Sequence, residues 1–87
     1  MLMNIFAGNL ARDVDEDELR RIFERHGRVD SVLIIRDRLT GTSRGFGFVE
    51  MPIREDAEAA IAALDGKELM RNILVVNLAR PRIQYQR

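Results

Sequence analysis

Apolar and polar positions along this 87-residue chain alternate with two different periods, and the switches between them mark its elements. Met3 to Ala7 is a short apolar run stopped by Gly8-Asn9, which predicts a first strand. A helix start follows: Asp15 stands as N-cap, Glu18 as its capping-box partner three residues on, and Val14 is placed to staple against Leu19. Leu19, Ile22 and Phe23 keep helical spacing, and Gly27 predicts a left-handed C-cap after His26. Val29 to Arg36, rich in Val, Ile and Leu, predicts a second strand, and Asp37 to Ser43 a polar connection that turns at Thr40-Gly41. Arg44 to Met51 follows as a third strand. Ala57, Ala60, Ile61 and Leu64 repeat at helical spacing and end at Asp65-Gly66. Ile73 to Leu78 predicts a last strand after a turn near Arg71-Asn72, where Asn72 is expected to supply any positive φ.

This order closes as an α+β, ferredoxin-like βαββαβ sandwich, a four-stranded antiparallel sheet with two helices on one face. Its other face is left without cover. Because strand side chains alternate, Arg44, Phe46, Phe48 and Glu50 share one side of the third strand, and Gly45, Gly47, Val49 and Met51 the other. Val49 and Met51 suit a core under helices, and Gly45 and Gly47 are expected to let a helix pack close. In the first strand Ile5 and Ala7 suit the core, as does Leu10 just beyond, which turns Phe6 outward. Three of the four phenylalanines therefore sit on the open face. Burying a phenyl ring contributes roughly 1.5 to 3 kcal/mol, so a fold that leaves three outside keeps them for a partner. Rings flanked by arginine suit single-stranded nucleic acid, where every base offers a π-face and the backbone offers charge.

A formal net charge of zero argues at first sight against such a partner. Its distribution changes the picture. Residues 1–12, 31–49 and 69–87 carry +1, +2 and +4, whereas 13–30 and 50–68, which hold the helical patterns, carry −3 and −4. The expectation is a protein acidic on its helical side and basic around its sheet.

Ile5-Phe6-Ala7-Gly8-Asn9-Leu10 resembles the six-residue RNP2 signature of the RNA-recognition-motif family. Arg44 to Met51 resembles its eight-residue RNP1 signature, in the right order and on the right strands. The resemblance covers residues 3–80. Within the family the chain is similar to short bacterial, cyanobacterial-type proteins with a single such domain, close to the RNA-binding half of glycine-rich RNA-binding proteins. No glycine-rich tail follows in this sequence. The resemblance implies that Phe6 and Phe48 each stack on a base, that Phe46 inserts against riboses between them, and that Arg44 pairs with a phosphate. Residues 1–80 are then the domain and 81–87 a basic C-terminal tail. Further candidate contacts are Asn4, Leu33 and Ile35 on the exposed register, Arg36 and Arg38 on the hairpin rim, Asn77 if Val76 faces the core, and Arg80 and Arg82 past the sheet. Three departures from the family pattern matter, the first being Arg71-Asn72 in place of the Gly-Arg expected before the last strand. Met51 replaces an aromatic at a core-facing position, where a large apolar side chain should serve. Leu33 and Ile35 are more apolar than is common there, which gives the face an alternative use as a protein-interaction or homodimerisation surface. Single-stranded RNA is the partner expected, with single-stranded DNA open to the same stacking chemistry.

Other classes find little support. No cysteine is present, which removes disulfides and thiolate metal sites and favours a reducing compartment. The opening residues lack a basic region and a long apolar run, so a soluble cytoplasmic protein without a membrane partner is expected. Small acyl-phosphate hydrolases share the topology, but their phosphate-cradling loop is missing after the first strand. Gly45-Phe46-Gly47-Phe48-Val49-Glu50 fails the dinucleotide fingerprint at its last position. Neither catalysis, a cofactor nor a small-molecule substrate is expected, and His26 at a helix end suits interaction with carbonyls.

Overall fold

The computed structural model describes residues 2–79. Its elements are β1 (Met3–Gly8), α1 (Glu16–Glu24), β2 (Ser31–Arg36), β3 (Ser43–Met51), α2 (Arg54–Leu64), β4 (Glu68–Leu69), β5 (Asn72–Ile73) and β6 (Val75–Leu78). β2, β3, β1 and β6 form one antiparallel sheet in that order, and β4 and β5 form a separate hairpin. The expected βαββαβ sandwich is thus present, with a small hairpin inserted before the last strand. Among the described residues no helix is long and apolar enough to cross a membrane.

One face of the sheet carries the core. Ile5 and Ala7 of β1, Ile34 of β2, Val49 and Met51 of β3 and Val76 of β6 meet Leu19 and Phe23 of α1 and Ala57, Ala60 and Leu64 of α2. Met51 is fully buried, so the missing aromatic is replaced by apolar volume of similar use. The helix starts as the sequence predicts: the Asp15 carboxylate accepts the Glu18 N–H at 2.8 Å, and Val14 and Leu19 are both buried. α1 ends at Glu24, two residues earlier than expected, and Gly27 at φ +148° lies beyond it against the Asp56 side chain. At the end of α2 the Asp65 carboxylate accepts the Val76 N–H at 2.9 Å, which ties the helix terminus to the last strand.

Three local expectations are corrected. Gly47 does not make room for a helix. It pairs with Ile34, and a Cβ there would run into the Leu33 carbonyl, so its bareness lets the β2 backbone approach. Gly45 serves a bulge: it takes φ +88°, and between Ile34↔Gly47 and Arg36↔Ser43 the third strand carries extra residues. The positive φ of the late turn falls on Met70 (51°) and Arg71 (72°), not on Asn72, which is already in β5. Two positive values in a two-residue loop match the mirror-image turn that suits the twist of a hairpin.

Candidate nucleic-acid interface

Strand register sorts the face of the sheet away from the core into rows. The middle row runs Leu33, Phe48, Phe6, Asn77 across β2, β3, β1 and β6. One row to one side lie Phe46, Gly8 and Val75, and one row to the other Ser31, Glu50 and Asn4. Phe6 and Phe48 are therefore direct cross-strand neighbours, with ring centroids 5.9 Å apart and nearly edge-on. Phe46 lies 6.0 Å from Phe6 and 6.3 Å from Phe48. Each ring is half-buried, packed against the other two. The Phe6 ring leans along its own strand over Gly8, where a Cβ would come within 2.6 Å of the ring edge. Gly8→Ala is accordingly expected to displace Phe6 from Phe46 while changing stability by about 1 kcal/mol or less. Ring-to-ring nuclear Overhauser contacts and a thermal melt check the two halves of that expectation.

The other sequence candidates divide by environment. Leu33 is 56% exposed beside Phe48, and Ile35, which falls in the register shift between β2 and β3, is half-buried. Val76 is buried, so Asn77 does face outward beside Phe6. Asn4 sits opposite Glu50, and its carbonyl accepts the Ala79 N–H at 2.8 Å. Glu50 itself accepts the Ser31 hydroxyl at 2.6 Å, which leaves an acid at that end of the face. Arg36 is engaged: one guanidinium nitrogen lies 2.9 Å from the Glu16 carboxylate, and another donates to the Gly41 carbonyl at 3.3 Å. That guanidinium holds the Glu16 carboxyl below its usual range. Arg38 is exposed in the β2–β3 loop. Asp37 orders this loop by accepting the Leu39 and Thr40 N–H groups at 2.8 and 3.0 Å, bonds that lower its pKa. Arg44 is exposed at the start of β3. Arg80 and Arg82 lie outside the described residues.

Charge is organised more finely than acidic helices against a basic sheet. On the helical side Arg20, Arg21 and Arg54 pair with Glu24, Glu18 and Glu58, and Arg28 pairs with Asp30. Among the described residues Arg12, Arg38 and Arg44 make no ion pair, and the strand directions bring all three to the end of the sheet opposite Glu50. Arg12 was not among the sequence candidates. Its only signal there is its place two residues past the first signature, where it reads as ordinary loop charge. Among the described residues no group of His, Asp or Glu could hold a metal ion.

The RNA recognition motif family model matches residues 5–75. The chain belongs to that family. RNA recognition motif relatives agree in sequence and in fold. RbpE of Nostoc sp. (strain PCC 7120) is 50% identical over 80 residues, which cover 92% of this chain and 81% of that one. The crystal structure of RNA-binding protein PG1 superposes with a TM-score of 0.90 at 44% identity, covering 94% of this chain and 99% of the other. A structure described as the Sxl-lethal protein/RNA complex gives 0.82 at 39% identity, covering 88% of this chain and 47% of that one.

Proposed function

We propose that this protein binds single-stranded RNA on the open face of its sheet, by stacking bases on phenylalanine and pairing arginine with phosphate. The observation that carries this reading is the contiguous trio of Phe6, Phe46 and Phe48 on the face of the sheet away from the core. Phe6 and Phe48 each take one base, and Phe46 packs against the sugars between them. Arg44 meets the backbone, Asn77 and Asn4 offer amides to base edges, and Leu33 and Ile35 extend the apolar surface. Arg38 and, from the sequence, Arg80 and Arg82 complete a basic rim. Arg36 is already held by Glu16, so a phosphate would have to compete with an ion pair for it. The Sxl-lethal protein/RNA complex supports the ligand class. Stacking alone accepts DNA as well, and the 2′-hydroxyl against the sheet is what would favour RNA. The cytoplasm is the compartment we propose.

The rim predicts salt dependence. With about three to five phosphates neutralised, log K should fall against log salt with a slope of roughly −2 to −3.5, at about −0.7 per contact for a single strand. Fluorescence titration of a short labelled RNA at several salt concentrations measures it, beside ultraviolet crosslinking to a random single-stranded pool. A slope near zero, together with no adduct at Phe6 or Phe48, would overturn the reading.

A further inference from the structure

Beyond Phe46 the sheet ends in a cleft of about 580 Å³, lined by Leu10, Arg12, Ser43, Arg44, Gly45 and Asn72, with Ala11. Its walls are built and fixed. The Leu10 N–H donates to the Gly45 carbonyl at 2.8 Å, which joins the loop after β1 to the bulge of β3. The Gly45 N–H donates to the nearly buried Ser43 hydroxyl at 3.0 Å, which pins the residues on either side of Arg44. On the third wall two asparagine amides tie β5 to the loop after β1: the Asn72 amide donates to the Asn9 carbonyl at 3.1 Å, and the Asn9 amide donates to the Ile73 carbonyl at 2.7 Å. The β4–β5 hairpin that the sequence did not reveal is thereby held against the cleft.

Two exposed arginines reach this space from different elements, Arg12 from the loop and Arg44 from the strand, and neither has an ion-pair partner among the described residues. Asp37, across the β2–β3 loop, has one carboxylate oxygen occupied by the Leu39 and Thr40 N–H groups; these bonds and, less, the charge of Arg44 lower its pKa. Two like charges left facing one cavity repel each other unless an anion enters. A guanidinium fork fits a phosphodiester bidentately, so a pair of them suits one bridging phosphate. The open face also has a polarity that points there. Glu50 repels a phosphate backbone at one end of the aromatic rows, and the cleft attracts it at the other.

We infer that this cleft is a second nucleic-acid site, which takes a phosphodiester of the strand after it has left the phenylalanines, and that Arg12 sets the length of RNA the domain prefers. This rests on the single-strand reading proposed above. The strand then crosses the rings, passes Arg44 and is clamped between Arg44 and Arg12, so nucleotides that touch no aromatic still add affinity.

The test is a ladder of oligouridylates from dinucleotide to octanucleotide, titrated against the parent, Arg12→Ala, Arg12→Lys, Phe48→Ala and, as a charge control, Arg25→Ala on the helical side. Parent affinity should rise in a step once the strand reaches the cleft. Arg12→Ala should remove that step, weakening the octanucleotide about tenfold, the worth of one charge-assisted contact, while leaving the dinucleotide unchanged. The salt slope for the octanucleotide should flatten by roughly 0.7. Arg12→Lys, which keeps charge but loses the fork, should fall between, and Arg25→Ala should keep the step. Equal weakening of long and short strands by Arg12→Ala, or no weakening, overturns the cleft site. If Phe48→Ala weakens every length while Arg12→Ala changes none, the cleft alone is wrong. If Phe48→Ala changes none, the platform itself fails.

Discussion

Phe23→Ala should lower the unfolding free energy by about 3 to 5 kcal/mol, the largest stability effect expected of any phenylalanine in this chain. The Phe23 ring is fully buried on the inner face of α1, in one cluster with Leu19, Ile5, Val49 and Met51. Removing it loses the transfer energy of the ring and leaves a cavity that the sheet cannot collapse into, because β1 and β3 are fixed by six residue pairs. A domain of this size has a total stability near the low end of about 5 to 15 kcal/mol, so the variant should sit close to unfolding. Phe23→Leu, which keeps most of the volume, is the usable companion. Denaturant unfolding of both measures the difference, and RNA titration at low temperature should find the folded fraction binding as the parent does. A small stability change for Phe23→Ala would mean that the core is not where the structure puts it.

Much of this was legible because the fold is written in period and parity. Helical spacing found Leu19, Phe23, Ala57, Ala60 and Leu64, all of which are buried. Alternation in the third strand put Phe46 and Phe48 on one face and Val49 and Met51 on the other, and a single parity in β1 then placed Phe6 with the rings. Parity survives local irregularity, since the bulge at Gly45 adds residues without turning Phe46 inward. The bulge itself was not legible. Nothing in Arg44-Gly45-Phe46 separates a glycine needed for φ +88° from one needed for close packing, and the two glycines of the strand turned out to serve different purposes.

The remaining misses share a cause. The Met70-Arg71 turn carries neither glycine nor asparagine, the residues by which a positive φ is ordinarily announced, so tertiary bonds must hold what local chemistry does not favour. Asn72 and Asn9 supply those bonds across more than sixty residues of sequence. The Arg36–Glu16 pair likewise joins residues 20 positions apart, and sequence offers no measure of which arginines are already paired. Rim charges were therefore less legible than rings: counting arginines cannot distinguish Arg36, held by a carboxylate, from Arg12 and Arg44, which face open space.

The largest binding effects should come from the rings of the middle row. Phe6→Ala and Phe48→Ala are each expected to weaken single-stranded RNA by about 1 to 3 kcal/mol, the cost of one base stack. Their effect on stability is smaller than that of Phe23→Ala but not nil. Each ring contacts the other two, edge-on or tilted, and such pairs contribute about 0.5 to 1.5 kcal/mol beyond area, so a loss of about 1 kcal/mol in the unfolding free energy is expected for either variant. The two substitutions should not be additive. Phe6 and Phe48 are direct cross-strand partners, and removing one loosens the other, so the double variant should lose less affinity than the singles combined. The measurement is a double-mutant cycle with paired titrations, denaturant unfolding beside fluorescence-monitored binding. A tyrosine at either position should retain most of the affinity, because the stacking face is kept. If Phe48→Ala instead unfolds the domain as Phe23→Ala does, or binds RNA as tightly as the parent, the rings are part of the core or idle, and the open face is not a stacking platform.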